Sequence, residues 1–269
     1  MNINRVKGVY FSPTGGTFAV VRQMAERLAE RLGVPCEMVS YTLPREREEW
    51  KDFCDDELIV WGSPVYAGRI PNKTLEFVSS HIHGQGNIAV AVAVYGGRHY
   101  DNAVSEMCQV LKEGNMVPVA AAAVVARHAF SHILEEGRPN QHDMNEITNF
   151  CNRIRLEPHG NLDVPGTGIE STYYVPQTEE RRPAKFLKAL PIVDATKCVG
   201  CGVCAERCPM GSITMVEGRP VAVGVCIKCQ ACVRLCKSRA MSFEDGDLMS
   251  HIRMLEQNFS QPSANYFWE

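Results

Sequence analysis

The chain has 269 residues, 45% of them hydrophobic and 22% charged, with a formal net charge of −3. That near-neutral balance argues against the strongly basic surface of a nucleic-acid binder. The longest apolar run, near Val117 to Ala126, is far short of the roughly 20 residues of a membrane span. The amino terminus also lacks the basic-then-apolar pattern of a signal peptide. The expectation is a soluble cytoplasmic protein with neither nucleic acid nor membrane as partner.

The first 156 residues alternate strand-like and helix-like segments. Val6–Phe11 is a short apolar strand. From Thr17 to Leu32, the residues Phe18, Val21, Ala25, Leu28 and Leu32 recur at helical spacing, and Gly33 with Pro35 stops the helix. Cys36–Ser40 reads as a second strand, Arg45–Phe53 as a polar helix and Leu58–Gly62 as a third, uniformly apolar strand. Pro71 opens a helix to Ser80, at a position where proline is tolerated. Asn87–Tyr95, Tyr100–Lys112, Val117–Val125 and Asn140–Leu156 complete the series as strand, helix, strand and helix. Five such strands predict a doubly wound parallel sheet covered on both faces. Ligands of such sheets sit at the carboxyl ends of the strands.

The loops at those ends are informative. Ser12-Pro13-Thr14-Gly15-Gly16-Thr17 lies between the first strand and its helix. Hydroxyls, glycines and free N–H groups at a helix N-terminus form an anion site without a basic residue. It is neither a phosphate-binding G-x-x-x-x-G-K loop nor a G-x-G-x-x-G dinucleotide fingerprint. Two further loops follow strands three and four: Trp61–Arg69 and Tyr95–Tyr100. Trp61, inside its strand, reads as core.

Residues 157–190, rich in proline, glycine and charge, read as a linker that either fixes two domains or lets them swing. Its Arg181, Arg182, Lys185 and Lys188 offer a basic patch for an acidic redox partner, although a solvated linker explains them as well. Eight cysteines then fall in two identical runs: Cys198, Cys201, Cys204, Cys208 and Cys226, Cys229, Cys232, Cys236. Both read C-x-x-C-x-x-C-x-x-x-C, the ligand pattern of a two-cluster [4Fe–4S] protein. Structural zinc sites use two well-separated C-x-x-C pairs instead. The repeat marks residues 191–245 as a duplicated half-domain. The remaining cysteines, Cys36, Cys54, Cys108 and Cys151, read as small buried hydrophobes. His128 and His132, four apart, read as structural or solvated, because no other metal-ligand signature accompanies them. The tail, 246–269, ends in Tyr266-Phe267-Trp268-Glu269 and is expected to dock on the protein's own body.

The cysteine runs resemble bacterial two-cluster ferredoxins. That resemblance implies that Cys198, Cys201, Cys204 and Cys236 hold one cluster and Cys226, Cys229, Cys232 and Cys208 the other. One departure stands out. Pro209 follows the first run, but Lys237 takes the equivalent place in the second, and Lys228 lies inside the second loop. Cations there predict a higher potential for the second cluster. The glycine loop resembles the FMN-phosphate loop of flavodoxins, which implies that Ser12, Thr14, Gly15, Gly16 and Thr17 hold the phosphate. By the same resemblance Pro64, Val65, Tyr66, Ala67 and Gly68, with Gly96, Gly97 and Tyr100, embrace the isoalloxazine ring, and Tyr66 and Tyr100 are the stacking candidates. Taken whole, the chain resembles the fused flavodoxin–ferredoxin electron-transfer proteins of anaerobes. The implied fold is a flavodoxin-like doubly wound five-stranded α/β sheet (1–156), then a small α+β ferredoxin domain (191–245). The implied cofactors are FMN and two [4Fe–4S] clusters. The implied role is electron transfer between one-electron and two-electron protein partners. An FMN-dependent small-molecule reductase fed by its own clusters is the alternative, and a homodimer is compatible with either. No catalytic residue is assigned.

Overall fold

Alternating alanine and valine builds the centre of the molecule. In the computed structural model, which describes residues 3–50, 52–158, 160 and 162–269, the strand β4 (Ile88–Tyr95) is buried at every position. Side chains alternate across a strand. Ala89, Ala91, Ala93 and Tyr95 therefore join one apolar cluster with Trp61 and Phe11. Val90, Val92 and Val94 join the opposite cluster. The sheet's other parallel strands are β1 (Arg5–Tyr10), β2 (Cys36–Ser40), β3 (Glu57–Pro64) and β5 (Val117–Val125). Helices α1 (Gly16–Leu32) and α5 (Gln141–Arg153) cover the valine face. Helix α4 (Ala103–Glu113), with part of α3 (Leu75–His81), covers the alanine face. The polar helix expected over Arg45–Phe53 is shorter: α2 spans Pro44–Glu48, and Lys51 lies outside the described residues.

The expected five strands become six. Strand order is β10-β5-β4-β3-β1-β2, and the sixth member comes from the carboxyl terminus: β10 (Tyr266–Trp268) runs antiparallel along β5. The reason is steric. β5 reads Val-Pro-Val-Ala-Ala-Ala-Ala-Val-Val, and its run of alanines leaves room for aromatic rings beside it. Phe267 packs on Phe150 at 4.7 Å on one face. On the other, Tyr266 and Trp268 pack on Tyr100 at 5.2 and 5.7 Å. Asn265 accepts the edge amide of Val125 at 2.8 Å.

The cysteine domain is built from short elements: β6 (Ile192–Val193), α6 (Val203–Glu206), β7 (Ile213–Val216), β8 (Arg219–Ala222), α7 (Ala231–Arg234) and β9 (Met241–Ser242). β6 pairs with β9, and β7 with β8. Helix α8 (Gly246–Asn258) follows and leads to β10.

The segment between the two halves is stapled at both ends rather than free. On the sheet side, Gly168 N–H donates to Ser105 Oγ at 3.0 Å, Ile169 N–H to Gln109 Oε1 at 2.8 Å and Tyr174 N–H to Ala67 O at 2.8 Å. The buried pair Arg69–Glu106 clamps the same stretch: Arg69 donates to Ser171 O at 2.5 Å and sits over the Tyr173 ring. On the other side, Lys185 N–H donates to Asp247 at 2.6 Å, and Glu179 pairs with Arg253 at 2.7 Å. Direct contacts complete the junction. Arg234 donates to the carbonyls of His128 and Ala129 at 3.0 and 2.9 Å, and Arg47 to Pro209 O at 2.7 Å. The 157–190 segment thus bonds to both halves in this structure; His159 and Asn161, within it, lie outside the described residues. Among the described residues, no helix is long and apolar enough to cross a membrane.

Candidate functional site

The glycine loop turns the chain from β1 into α1. Gly15 takes a left-handed φ of 92° at the N-cap, with no side-chain cap and no acidic residue in the first turn. The Ser12 hydroxyl accepts the Phe18 N–H at 2.9 Å, and Ser12 N–H donates to Thr42 Oγ1 at 2.9 Å. The loop is thereby shaped while the N–H groups of Gly16 and Thr17 stay open to an anion. Helix α1 lies close on the sheet because residue 62 has no side chain: a Cβ there would come within 2.1 Å of Val21 Cγ2. After β3 the chain makes a tight hairpin, Tyr66 N–H donating to Arg69 O at 2.8 Å, with Ala67 and Gly68 both left-handed.

These loops form one side of a cleft of about 560 Å³, within the range of small-molecule sites. Ser12, Thr14, Gly16 and Thr17 line it, as do Pro64, Val65, Tyr66, Ala67, Gly68 and Gly96. Three expected residues do not. Gly15 shapes the turn from behind. Gly97 faces Glu135 and passes its carbonyl to Ser263. Tyr100 is turned into the core, 6% exposed, against Tyr95 and the rings of β10; the terminal aromatics that capture it are remote in sequence. Of the two stacking candidates only Tyr66 remains. Burial, then the charges of Cys229 and Cys226, push its phenol well above its ordinary pKa.

The opposite side of the cleft comes from segments that sequence reasoning did not assign to it: Tyr173 and Tyr174, Phe186 and Leu187, His251 of α8, and Val225 to Lys228 of the second cysteine loop. Four cations line the cleft (Lys73, Arg98, Arg127 and Lys228) together with His99, His128 and His251, and no carboxylate does. His128 and His132 lie in an irregular segment rather than on a helix. Burial, then His251, Arg234 and Arg98, lower His128 to about 4.

The eight cysteines lie in two groups of four, each drawing one member from the other run. Cys198, Cys201, Cys204 and Cys236 ring one small cavity, and Cys208, Cys226, Cys229 and Cys232 another. Each is a void between thiols. Among the described residues, no three His, Cys, Asp or Glu side chains are grouped to hold a single metal ion. The repeat extends to the hydrogen bonds: Ser212 N–H donates to Cys208 Sγ at 3.3 Å and Ala240 N–H to Cys236 Sγ at 3.2 Å. Of the four other cysteines, Cys108 and Cys151 are buried as expected, whereas Cys36 is half-buried and Cys54 exposed.

The two lysines part company. Lys237 is exposed. Lys228 is 7% exposed, in a left-handed conformation, with its ammonium donating to Leu187 O and, at 2.9 Å, to Cys226 O. Its own N–H donates to Cys226 Sγ at 3.3 Å. Burial lowers its pKa, and Cys226 and Asp245 draw it back up. Burial raises Cys226, Cys229 and Cys232 as well, and Lys228 draws Cys226 back down.

Known proteins divide along the same boundary. Residues 191–214 match the family described as a 4Fe-4S binding domain. Strand order β2-β1-β3-β4-β5 is that of flavodoxin. The chain has a fused architecture, a flavodoxin-like fold followed by a 4Fe-4S binding domain. The fusion is 36% identical over 63 residues to an uncharacterized ferredoxin of Methanocaldococcus jannaschii, covering 22% of this chain and 42% of that protein. It thus spans under half the length of that curated relative. Among solved structures, an archaeal flavodoxin matches with 19% identity and a TM-score of 0.37, over 55% of the fusion and 93% of that chain. Flavodoxin 2 of Bacillus cereus matches with 14% identity and a TM-score of 0.42, over 55% of the fusion and 95% of that chain.

Proposed function

We propose that the fusion carries electrons between FMN in the cleft and two [4Fe–4S] clusters, coupling a two-electron to a one-electron protein partner. One observation carries this reading: a single cleft is lined both by the anion-binding loop, Ser12 to Thr17, and by Cys226 of the second cysteine run. When bound, FMN exchanges electrons singly or in pairs and each cluster one at a time.

The chain's own residues supply binding and order. The open N–H groups of Gly16 and Thr17, with the Thr14 and Thr17 hydroxyls, suit a phosphate. Tyr66 lies between the cleft and the second cysteine set, close enough to feel Cys226 and Cys229. The stapled 166–189 segment fixes that separation. Cys208 and Cys236, each held in the opposite set, lock the two cluster sites together. Cys201 is exposed, so the first set forms the outer end of the path, where a protein donor or acceptor docks. The order is flavin, second cluster, first cluster, surface. A cytoplasmic setting fits: all twelve cysteines are free of disulfides.

A second reading, an FMN-dependent reductase of a small molecule, is favoured by the cations and imidazoles on the far wall of the cleft. Anaerobic purification with FMN, iron and sulfide quantified, followed by an EPR-monitored reductive titration, tests the main reading. The expected result is one flavin and about eight irons in two cubes. Absence of flavin, or only one cluster, overturns it.

A further inference from the structure

We propose that the cleft takes, beside FMN, a small planar carboxylate, held by Arg98, His128 and His251 against Phe130 and Phe186. This inference rests on the assignment of the cleft to FMN and deepens the reductase reading of it.

The anchor residues lie at the ring end of the cleft. Arg98 stands over the Tyr174 ring at 3.9 Å, and Tyr174 N–H is bonded to Ala67 O at 2.8 Å in the loop after β3. His128 lies directly on Gly96 in the loop after β4: a Cβ there would come within 2.6 Å of its ring. His251 reaches in from α8, outside the flavodoxin sheet. His128 and His251 both pack on Phe130, with ring centroids 5.5 and 6.4 Å away, and Arg98 lines the same cleft. They are distinct from the loop 12–17, whose N–H groups already suit the phosphate.

The backbone fixes what each imidazole offers. His128 Nδ1 lies 3.1 Å from Phe130 N–H, which only donates, so Nδ1 accepts and the proton sits on Nε2. His251 Nδ1 lies 2.8 Å from Gln177 O, which only accepts, so Nδ1 donates and Nε2 carries a lone pair. Neither Nε2 has a hydrogen-bond partner among the described residues. The wall therefore presents a guanidinium, an N–H donor and a single acceptor. The guanidinium and the donor suit a carboxylate. The acceptor suits a ligand hydroxyl or amine.

The floor is aromatic. Phe186 stacks on His251 at 5.6 Å, and Phe130 stands edge-on to Phe186 at 6.4 Å. A flat ligand fills such a slot with least loss of freedom. Arg98 already pairs with Asp101, so a ligand carboxylate shares the guanidinium with that side chain; among the described residues no carboxylate lines the cleft itself.

The test uses the purified holoprotein and 4-hydroxybenzoate, a planar carboxylate with one hydroxyl donor. Titration is followed by the flavin absorption spectrum and by calorimetry. The expected result is saturable binding that perturbs the flavin band, at least tenfold tighter than for 4-hydroxybenzamide, which lacks the charge. Arg98→Met should weaken 4-hydroxybenzoate at least tenfold and Arg98→Lys should restore most of it, each affinity being measured per FMN-loaded chain. No saturable binding, or equal affinity for acid and amide, overturns the inference. Its failure is separable from that of the flavin assignment. A protein that purifies with FMN yet ignores the probe defeats the carboxylate site alone. One that purifies without FMN defeats the flavin assignment, and calorimetry still decides the anion site.

Discussion

Replacing Lys228 by glutamine removes one buried positive charge while keeping an amide that can still donate to Leu187 O or Cys226 O. The charge lies beside the second cysteine set, shielded from water, with Nζ bonded to the carbonyl of Cys226. For a charge about 7 Å from an added electron at an effective dielectric near 20, the attraction is about 2 kcal/mol. One hundred millivolts corresponds to about 2.3 kcal/mol per charge, so the midpoint of the second cluster should fall by about 100 mV. Reduction adds negative charge, which the ammonium favours, so its loss makes the potential more negative. EPR-monitored titration of the holoprotein should show one of two cluster midpoints moving and the other nearly fixed. Lys237→Gln, at an exposed and salt-screened position, should move neither by more than a small fraction of that amount. If Lys237→Gln matches Lys228→Gln, or if neither moves a midpoint, the electrostatic reasoning fails.

Three further perturbations follow from the fold. Glu106→Gln leaves the Arg69 guanidinium buried without its counter-charge, a loss of about 3–5 kcal/mol for such pairs; the thermal midpoint should drop, and hydrogen exchange should rise over residues 168–174. Wild-type exchange there would sink the clamp. Gly62→Ala sets a Cβ against Val21 and should cost about 1–3 kcal/mol through overpacking, with weaker FMN binding as α1 and its loop shift; Val21→Ala in the same chain should restore both, and an unaltered single variant refutes the close-approach argument. His128, lowered to about 4 chiefly by burial, should stay neutral with its proton on Nε2 at pH 5.5, as read by NMR of a labelled imidazole. Because the unfolded chain binds that proton below about pH 6.5, this residue's contribution to stability is complete above 6.5 and declines as pH falls toward 4.

The legible part of the fold was the part written in local pattern. Apolar runs and helical spacing placed five strands and their helices, and the glycine loop and the paired cysteine runs placed both cofactor regions. What escaped depends on contacts remote in sequence. Tyr100 follows β4, where a ring partner is expected, yet it is claimed by Tyr266 and Trp268, which no local pattern connects to it. Lys228 and Lys237 look equivalent beside their cysteines; only the closure of Leu187 over one of them buries it. His128 and His251 stand 123 positions apart and meet because α8 returns to the sheet domain. The one available hint was compositional: a run of alanines in β5 beside a terminus of three aromatics.

That returning terminus changes how the chain is ordered in synthesis. The flavodoxin sheet is completed by its last residues, so the ferredoxin domain lies between β5 and β10, an insert held at two points rather than a passenger on one linker. A domain anchored at both ends samples far less space than one anchored once, which keeps the second cysteine set at high local concentration beside the cleft. It also makes the sheet's edge a checkpoint. A chain interrupted anywhere in the ferredoxin domain lacks β10 and leaves the flank of β5 uncovered and open to pairing with other strands.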